Sequence, residues 1–361
     1  SGILKSMNGS IDWCCLPEFD SPAIFSALLD RQKGGYFSIA PTSSYQSKQR
    51  YLDDSNVVDT CFTTKDGSAR LLDCFTATHE EKNMLALFPD HEILRIVQGV
   101  SGNVKMKVEY LPTVWYGKNL PVLEDCQKLG VQFFWRENIF ILVTSLEAGL
   151  IKIQRGRADA EFGVNAGERV IFSLAYSNQS PAVIPELKET AWERLEGTLE
   201  YWREWVQKCE YTGVYHQQVR RSALALKLLA HAPSGAIIAA PTTSLPETIG
   251  GKLNWDYRYC WLRDASFTTR VLVNLGFEDE VHAYMNWILH ATQLTRPELQ
   301  VVYSVYGHAK LKENILGWLS GYRNSIPVRI GNKAHSQFQL DVYGEVLDAV
   351  HTYAPLINHF D

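Results

Sequence analysis

The sequence has no run approaching the roughly 20 uninterrupted apolar residues that a membrane-crossing helix needs. It has no excess of positive charge: 35 Lys and Arg stand against 40 Asp and Glu, a formal net charge of −5. A basic field that would attract nucleic acid or an anionic membrane is therefore missing. The seven cysteines (14, 15, 61, 74, 126, 209 and 260) form no CxxC pair and no metal-ligand spacing, and their number is odd. Reduced thiols are the expected state, and with them a cytoplasmic setting. No signal-peptide pattern opens the chain, which starts at Ser1 as if already under way, so a preceding leader is compatible with it. No Gly-rich or basic cluster of the kind that cradles phosphate stands out.

What remains is an ordinary globular composition, 46% hydrophobic and 21% charged. A length of 361 residues predicts about two domains. The pattern changes once along the chain. From Tyr36 to about Ser177 the apolar residues recur with period two, as in strands half-buried in a sheet. Val57–Thr64 and Ala69–Phe75 predict one hairpin around Lys65-Asp-Gly67. Ile93–Val97 and Val104–Tyr110 predict a second, turning at Gly99-Val-Ser-Gly102. Val131–Trp135, Ile139–Val143 and Val170–Tyr176 continue the series, which predicts an antiparallel β-sandwich. Ahead of it, Phe19-Asp-Ser-Pro22 reads as a helix start for a short helix from Ala23 to about Leu29, ended by Gly34-Gly35, a folding motif without chemistry; the other reading has Phe19, Asp20 and Ser21 line the cleft of a neighbouring domain. Asp73, His79, Glu80 and Glu81 read as a solvated rim at a strand end.

After Pro181 the period becomes helical. Leu187, Trp192, Leu195, Leu199, Trp202 and Val206 share one face of a long amphipathic helix that reaches about Glu210. Further helices are predicted at Tyr215–His231, Ala265–Leu275, Phe277–Thr295 and His335–Tyr353, with a helical turn at Glu313–Leu319. Long loops carrying aromatic and charged residues separate them, the arrangement in which helices form a scaffold and loops at one end form a site.

The densest of these loops is Trp255-Asp-Tyr-Arg-Tyr-Cys-Trp-Leu-Arg-Asp264, which packs four aromatic rings, two arginines and two aspartates into ten positions. Flat rings cover the C–H face of a sugar, carboxylates accept from its hydroxyls and guanidinium groups donate to its oxygens. The same residues also make a structural knot of ion pairs and rings, with Asp264 as the cap of the following helix. The sequence leaves both readings open.

Three stretches occur in order: Gly9-Ser-Ile-Asp-Trp13 with Leu16-Pro-Glu-Phe-Asp-Ser-Pro22; Trp255–Ala265; and Tyr322-Arg-Asn-Ser-Ile-Pro-Val-Arg-Ile-Gly-Asn332 with Gln337-Phe-Gln-Leu-Asp-Val-Tyr-Gly-Glu345. Together they resemble the bacterial branch of glycoside hydrolase family 15, the glucoamylase and trehalase family. The resemblance implies a super-β-sandwich over residues 1–180, a linker helix over 181–212 and, over 213–361, the first part of an (α/α)6 toroid. It implies an inverting exo-hydrolase that releases glucose from the non-reducing ends of α-glucosides and uses no cofactor. By position, Tyr257 would lie under the terminal glucose, Arg263 and Asp264 would bind it, and Trp261 would pack behind them. Tyr322, Arg329, Gln339 and Asp341 fall in the next cleft motif.

Inverting hydrolysis also needs a general acid and a general base on opposite faces of the sugar. In the family the acid is a glutamate of a Trp-Glu motif after the Asp-Val-Tyr-Gly-Glu segment, and the base is a later glutamate. Neither motif follows here, so the pair is expected beyond Asp361, and the chain reads as the substrate-binding portion of a longer enzyme or of a truncated gene. Asp341 and Glu345 precede the acid in that pattern and are not taken as substitutes. Two other readings stay open: a non-catalytic carbohydrate-binding remnant, and a disaccharide phosphorylase of similar architecture. The expected partner is an α-glucoside, with neither nucleic acid nor membrane.

Overall fold

The computed structural model describes residues 1–79, 89, 91–178, 187, 189–293 and 295–356. The chain divides into two compact units. One comprises Gly2–Pro17 with Ser21–Glu204, the other Ser1, Glu18–Asp20 and Trp205–Asp361.

In the first unit, two antiparallel sheets share one long strand, His91–Leu111. Its first half pairs with Gly67–Phe75 on one side and Arg169–Ser177 on the other. Its second half pairs with Tyr36–Pro41 and Arg157–Asn165. The predicted hairpin at Gly99–Gly102 is thus a corner at which one strand passes from sheet to sheet. Glycine marks bulges and bends as readily as turns. Here close backbone approach demands it: a Cβ on Gly99 would lie 2.0 Å from the Asn165 carbonyl oxygen, and one on Gly102, at φ +63°, would lie 2.1 Å from that of Asp66.

The two sheets face each other across alternating apolar side chains. Phe37 and Phe162 of one sheet meet Phe172 of the other, with ring centroids 6.4 and 5.7 Å apart. A fully buried arginine, Arg95, also crosses this interior. Its Nε donates to Asp73 Oδ1 at 2.6 Å, its Nη2 to the Gly9 carbonyl at 2.6 Å and its Nη1 to the Phe37 carbonyl, while Lys5 pairs with the other Asp73 oxygen. Asp73 is therefore no solvated rim residue. Alternation predicts that its side chain faces one side of the sheet but not that a cation waits there. His79 does lie at the surface, paired with Glu204 at 2.8 Å, and Glu80 and Glu81 fall outside the described residues.

The predicted helix at Ala23–Leu29 is also corrected. Ala23–Phe25 is a strand on Cys14 and Cys15, because all three side chains are buried. The next amides, of Ser26 and Ala27, donate to Gly34 and Gly35 and turn the chain back. On the outer face of the sheet built on the first half of His91–Leu111, helix α1 (Glu189–Gln207) lays Ala191, Leu195 and Leu199 over Leu72, Leu94, Ile96, Ile141 and Val143. Arg194 forks onto buried Glu92 at 2.9 and 3.0 Å and fixes the helix there.

The second unit has four further helices among the described residues: α2 (His216–Lys227), α3 (Leu262–Asn274), α4 (Glu278–Ala291) and α5 (Asp341–Tyr353). Gly276, at φ +87°, ends α3, and α4 returns beside it. Arg263 pairs with Asp341 and Arg270 with Asp348, residues 78 positions apart in both pairs, so α3 and α5 run side by side in the same direction. His282, near the start of α4, meets Tyr353 at the end of α5, so α4 runs the opposite way. Several predicted boundaries move, and α2 and α4 end at Lys227 and Ala291 rather than at His231 and Thr295. Glu313–Leu319 is no helical turn, since Asn314–Ile315 pairs with Arg329–Ile330. The last helix starts at Asp341 rather than His335, because the Asn332 side chain caps a separate 3-10 turn at Lys333–Ser336. Helix α3 begins three residues before Ala265. No helix among the described residues is long and apolar enough to cross a membrane.

Burial works against the Asp73 charge, but Arg95 and Lys5 outweigh it and hold the carboxyl below the usual carboxylate range. A carboxylate depressed in the folded state stabilises above its unfolded pKa, near 3.9, and that stability drains away as pH falls through the folded value. Arg95→Ala would leave Asp73 with Lys5 as its one cation and strand the Gly9 and Phe37 carbonyls, at a cost of about 3–5 kcal/mol. A thermal melt at pH 7 should show this as a large drop in Tm, and the gap from the parent protein should narrow in acid. An unchanged Tm would mean that the buried arginine is dispensable.

Candidate functional site

The stretch Trp255–Asp264 folds as two short strand pairings and the start of a helix. Asn254–Asp256 pairs with Thr243–Pro246, and Cys260–Trp261 with Val302–Tyr303; α3 follows directly. Its two arginine–aspartate pairs have opposite fates. Asp256 and Arg258 are fully buried, joined by Nε to Oδ1 at 2.8 Å and Nη2 to Oδ2 at 2.7 Å. Asp256 Oδ2 also accepts from the Gly331 amide at 3.0 Å, its carbonyl accepts from Asn332 Nδ2 at 3.1 Å, and Arg258 Nη1 reaches the Phe19 carbonyl at 3.3 Å. One buried ion pair thus ties together the three stretches singled out in the sequence.

Arg263 and Asp264 stay at the surface. Asp264 is not the cap of α3: Trp261 holds that position and Asp264 is the third helical residue. There the free amides of the first turn favour a carboxylate. Asp341 likewise opens α5. Arg263 lies between them, with Nη2 3.2 Å from Asp264 and Nη1 3.2 Å from Asp341, all three side chains 37–46% exposed. Burial disfavours the Arg263 charge, yet the two aspartates outweigh it and raise the guanidinium's pKa. The Tyr257 ring stands 5.4 Å from that of buried Trp261 and is itself partly exposed. Burial, then Glu247 and Asp264, push its phenol upward against the pull of Arg263, so it is a neutral donor at ordinary pH. The result is an exposed aromatic ring beside a guanidinium and two carboxylates that accept hydrogen bonds, at the adjoining first turns of two parallel helices.

The other predicted residues are placed differently. Arg329 is spent on its own loops: Nη1 donates to the Lys252 and Asn254 carbonyls at 2.9 and 3.2 Å, Nε lies 3.3 Å from Glu313, and the guanidinium covers the Trp255 ring at 4.6 Å. Tyr322 sits in a 3-10 turn with the Arg323 guanidinium 5.4 Å from its ring, and Gln339 donates to Gln337 at 3.0 Å. No described hydrogen bond or ring contact joins either to Arg263. Among the described residues no group of three or more His, Cys, Asp or Glu side chains is arranged to hold a metal.

Residues 213–359 match the model of glycosyl hydrolases family 15, and residues 2–180 that of the trehalase-like N-terminal region. The chain belongs to glycosyl hydrolase family 15. A trehalase of Thermoplasma volcanium is 36% identical over 98% of this chain and 55% of its own length. One of Thermoplasma acidophilum is 36% identical over 97% and 58%, and one of Mycolicibacterium smegmatis 35% identical over 97% and 54%. The chain spans a little over half the length of these relatives.

In this family 15 chain the helical unit also contains a cluster that the sequence did not reveal. Glu18 accepts from the Tyr306 hydroxyl at 2.9 Å and pairs with Nε2 of buried His231, whose Nδ1 lies 2.8 Å from Ser234 Oγ. Burial, with the Glu18 bond, pushes Tyr306 up to about 12. Asp20 is raised by burial against the opposing charge of Arg258. Their stretch, Leu16–Pro22, reads locally as a helix start, and its pattern does not name His231 or Tyr306 as the partners of Glu18.

Arg258→Ala would leave the Asp256 carboxylate buried without its cation, at about 3–5 kcal/mol. Arg263→Ala removes an exposed charge whose pairs are worth about 0–1 kcal/mol. Melting temperatures should therefore fall sharply for the first and little for the second. Equal losses would contradict the division into a buried knot and an exposed face.

Proposed function

We propose that the helical unit binds the non-reducing glucosyl ring of an α-glucoside, and that the substrate is trehalose. The observation that carries this reading is the exposed group of Tyr257, Arg263, Asp264 and Asp341 at the adjoining ends of α3 and α5. The ring would stack on Tyr257, its outer hydroxyls would donate to Asp264, and Arg263, aligned by both aspartates, would donate to its oxygens. The choice of trehalose rests on the relatives named trehalases at 35–36% identity.

The helices would be the first of an (α/α)6 toroid. In such a ring the inner helices are parallel and the outer ones return, the relation seen between α3, α5 and α4. Phe267, Val271 and Leu347 leave apolar surface exposed on α3 and α5 that neighbouring helices would cover. The reaction would be inverting hydrolysis, with an acid and a base glutamate about 6.5–9.5 Å apart on either side of the sugar. We assign neither role to Asp341 or Glu345. Asp341 is held by Arg263, and Glu345 lies one helical turn further along α5.

Asp264→Asn preserves shape and removes charge. Loss of a charge-assisted hydrogen bond, about 1.5–3 kcal/mol, should weaken trehalose binding by roughly ten- to a hundredfold in calorimetry, with almost no change in Tm. Normal binding with a lowered Tm would make the group purely structural. The 361 residues by themselves are expected to bind trehalose without releasing glucose. Glucose release abolished by Asp264→Asn would show that the acid–base pair is present among them.

A further inference from the structure

The sandwich unit contains a cavity of about 300 Å³, built wholly from its own residues. That volume is at the small end of the roughly 300–1,000 Å³ of ligand clefts. It suits a single small ring, not a chain of sugars. Its walls include Trp115, Trp135 and Tyr176, with Arg136, Glu137 and Asn138 at one side. Trp115 and Trp135 are partly buried, Trp135 with one part against the sandwich core, while Arg136 and Glu137 are exposed. The polar side is held in place: Asn138 Oδ1 accepts from the Tyr176 hydroxyl at 2.6 Å, and its Nδ2 donates to the Trp135 carbonyl at 3.1 Å.

The backbone at this cavity has an unusual conformation. Trp115, Tyr116 and Arg136 have φ of +55°, +56° and +57°, the left-handed region that side-chain-bearing residues adopt at a cost of order 1–3 kcal/mol each. Arg136 and Glu137 form the two-residue turn between Trp135 and Asn138, where glycine is favoured at a positive-φ position. Here an arginine occupies it and sets a guanidinium beside the Trp135 ring, 6.0 Å from its centroid. Packing of the sandwich gives no reason for this choice, because the turn is exposed.

We propose that this cavity is a second carbohydrate site, which binds one neutral pyranose unit. Partly buried indoles offer flat apolar faces for a sugar's C–H groups. The neighbouring charges, one of each sign, give no net field for an anion such as phosphate, and they supply donors and acceptors for hydroxyls. The site is independent of the trehalose-binding reading, because every wall residue belongs to the sandwich.

The probe is methyl α-D-glucopyranoside, observed by saturation-transfer NMR on the full chain carrying Arg263→Ala and Asp264→Ala, which disable the group on α3. Saturable transfer in the millimolar range is expected. Adding Trp135→Ala should weaken it about tenfold or more, whereas Trp135→Tyr, which keeps a flat ring, should retain most of it. Trp115→Ala serves as an independent wall variant if Trp135→Ala fails to fold. No transfer in the double variant, or transfer unaffected by the wall substitutions, would overturn the proposal.

Discussion

The helical unit depends on one buried ion pair. Asp256 and Arg258 have no exposure to water, and a pair so placed is tolerable only when its remaining hydrogen-bonding capacity is met. Phe19 and Gly331 meet it through their backbones, and the Asn332 side chain ties the same loop to the Asp256 carbonyl. Three segments distant in sequence must therefore come together before the pair can be buried at all. Tyr257 lies between the two paired residues, and Arg263 and Asp264 lie a few positions further on, so the position of the exposed group follows from the knot. The two halves of the stretch differ in surroundings: the buried half gives rigidity, and the exposed half leaves Arg263 and Asp264 at the surface.

The sandwich unit solves a similar problem with Arg95. Its guanidinium reaches one aspartate and two backbone carbonyls drawn from both sheets. Such a charge adds little stability over an apolar filling, but removing it alone is costly. In both units a buried arginine fixes which segments can be neighbours.

These arrangements were legible in the sequence to different degrees. Period-two alternation located Ile93–Val97 and Val104–Tyr110 as strands, because a half-buried sheet imposes that period. It could not show that they are one strand, since Gly99 and Gly102 suit a turn and a corner equally. The helical periods located α1 to α5, with starts displaced where a side chain such as that of Asn332 created a separate turn. Composition marked Trp255–Asp264 as exceptional and offered a pocket or a knot; the structure contains a knot and, beside it, an exposed group. The division was illegible because Arg258 and Arg263 differ only in what surrounds them, and those surroundings come from Phe19 and Gly331 in one case and from α5 in the other. Asp73 and Glu18 were missed for the same reason.

The proposed place for the sugar is the exposed end of α3 and α5. A crystal of the chain soaked with trehalose tests it most directly. The expected result is a glucosyl ring stacked on Tyr257, with hydroxyls within hydrogen-bonding distance of Asp264 and Arg263. A ring bound elsewhere in the helical unit, with Arg263 still closed onto both aspartates, would contradict it.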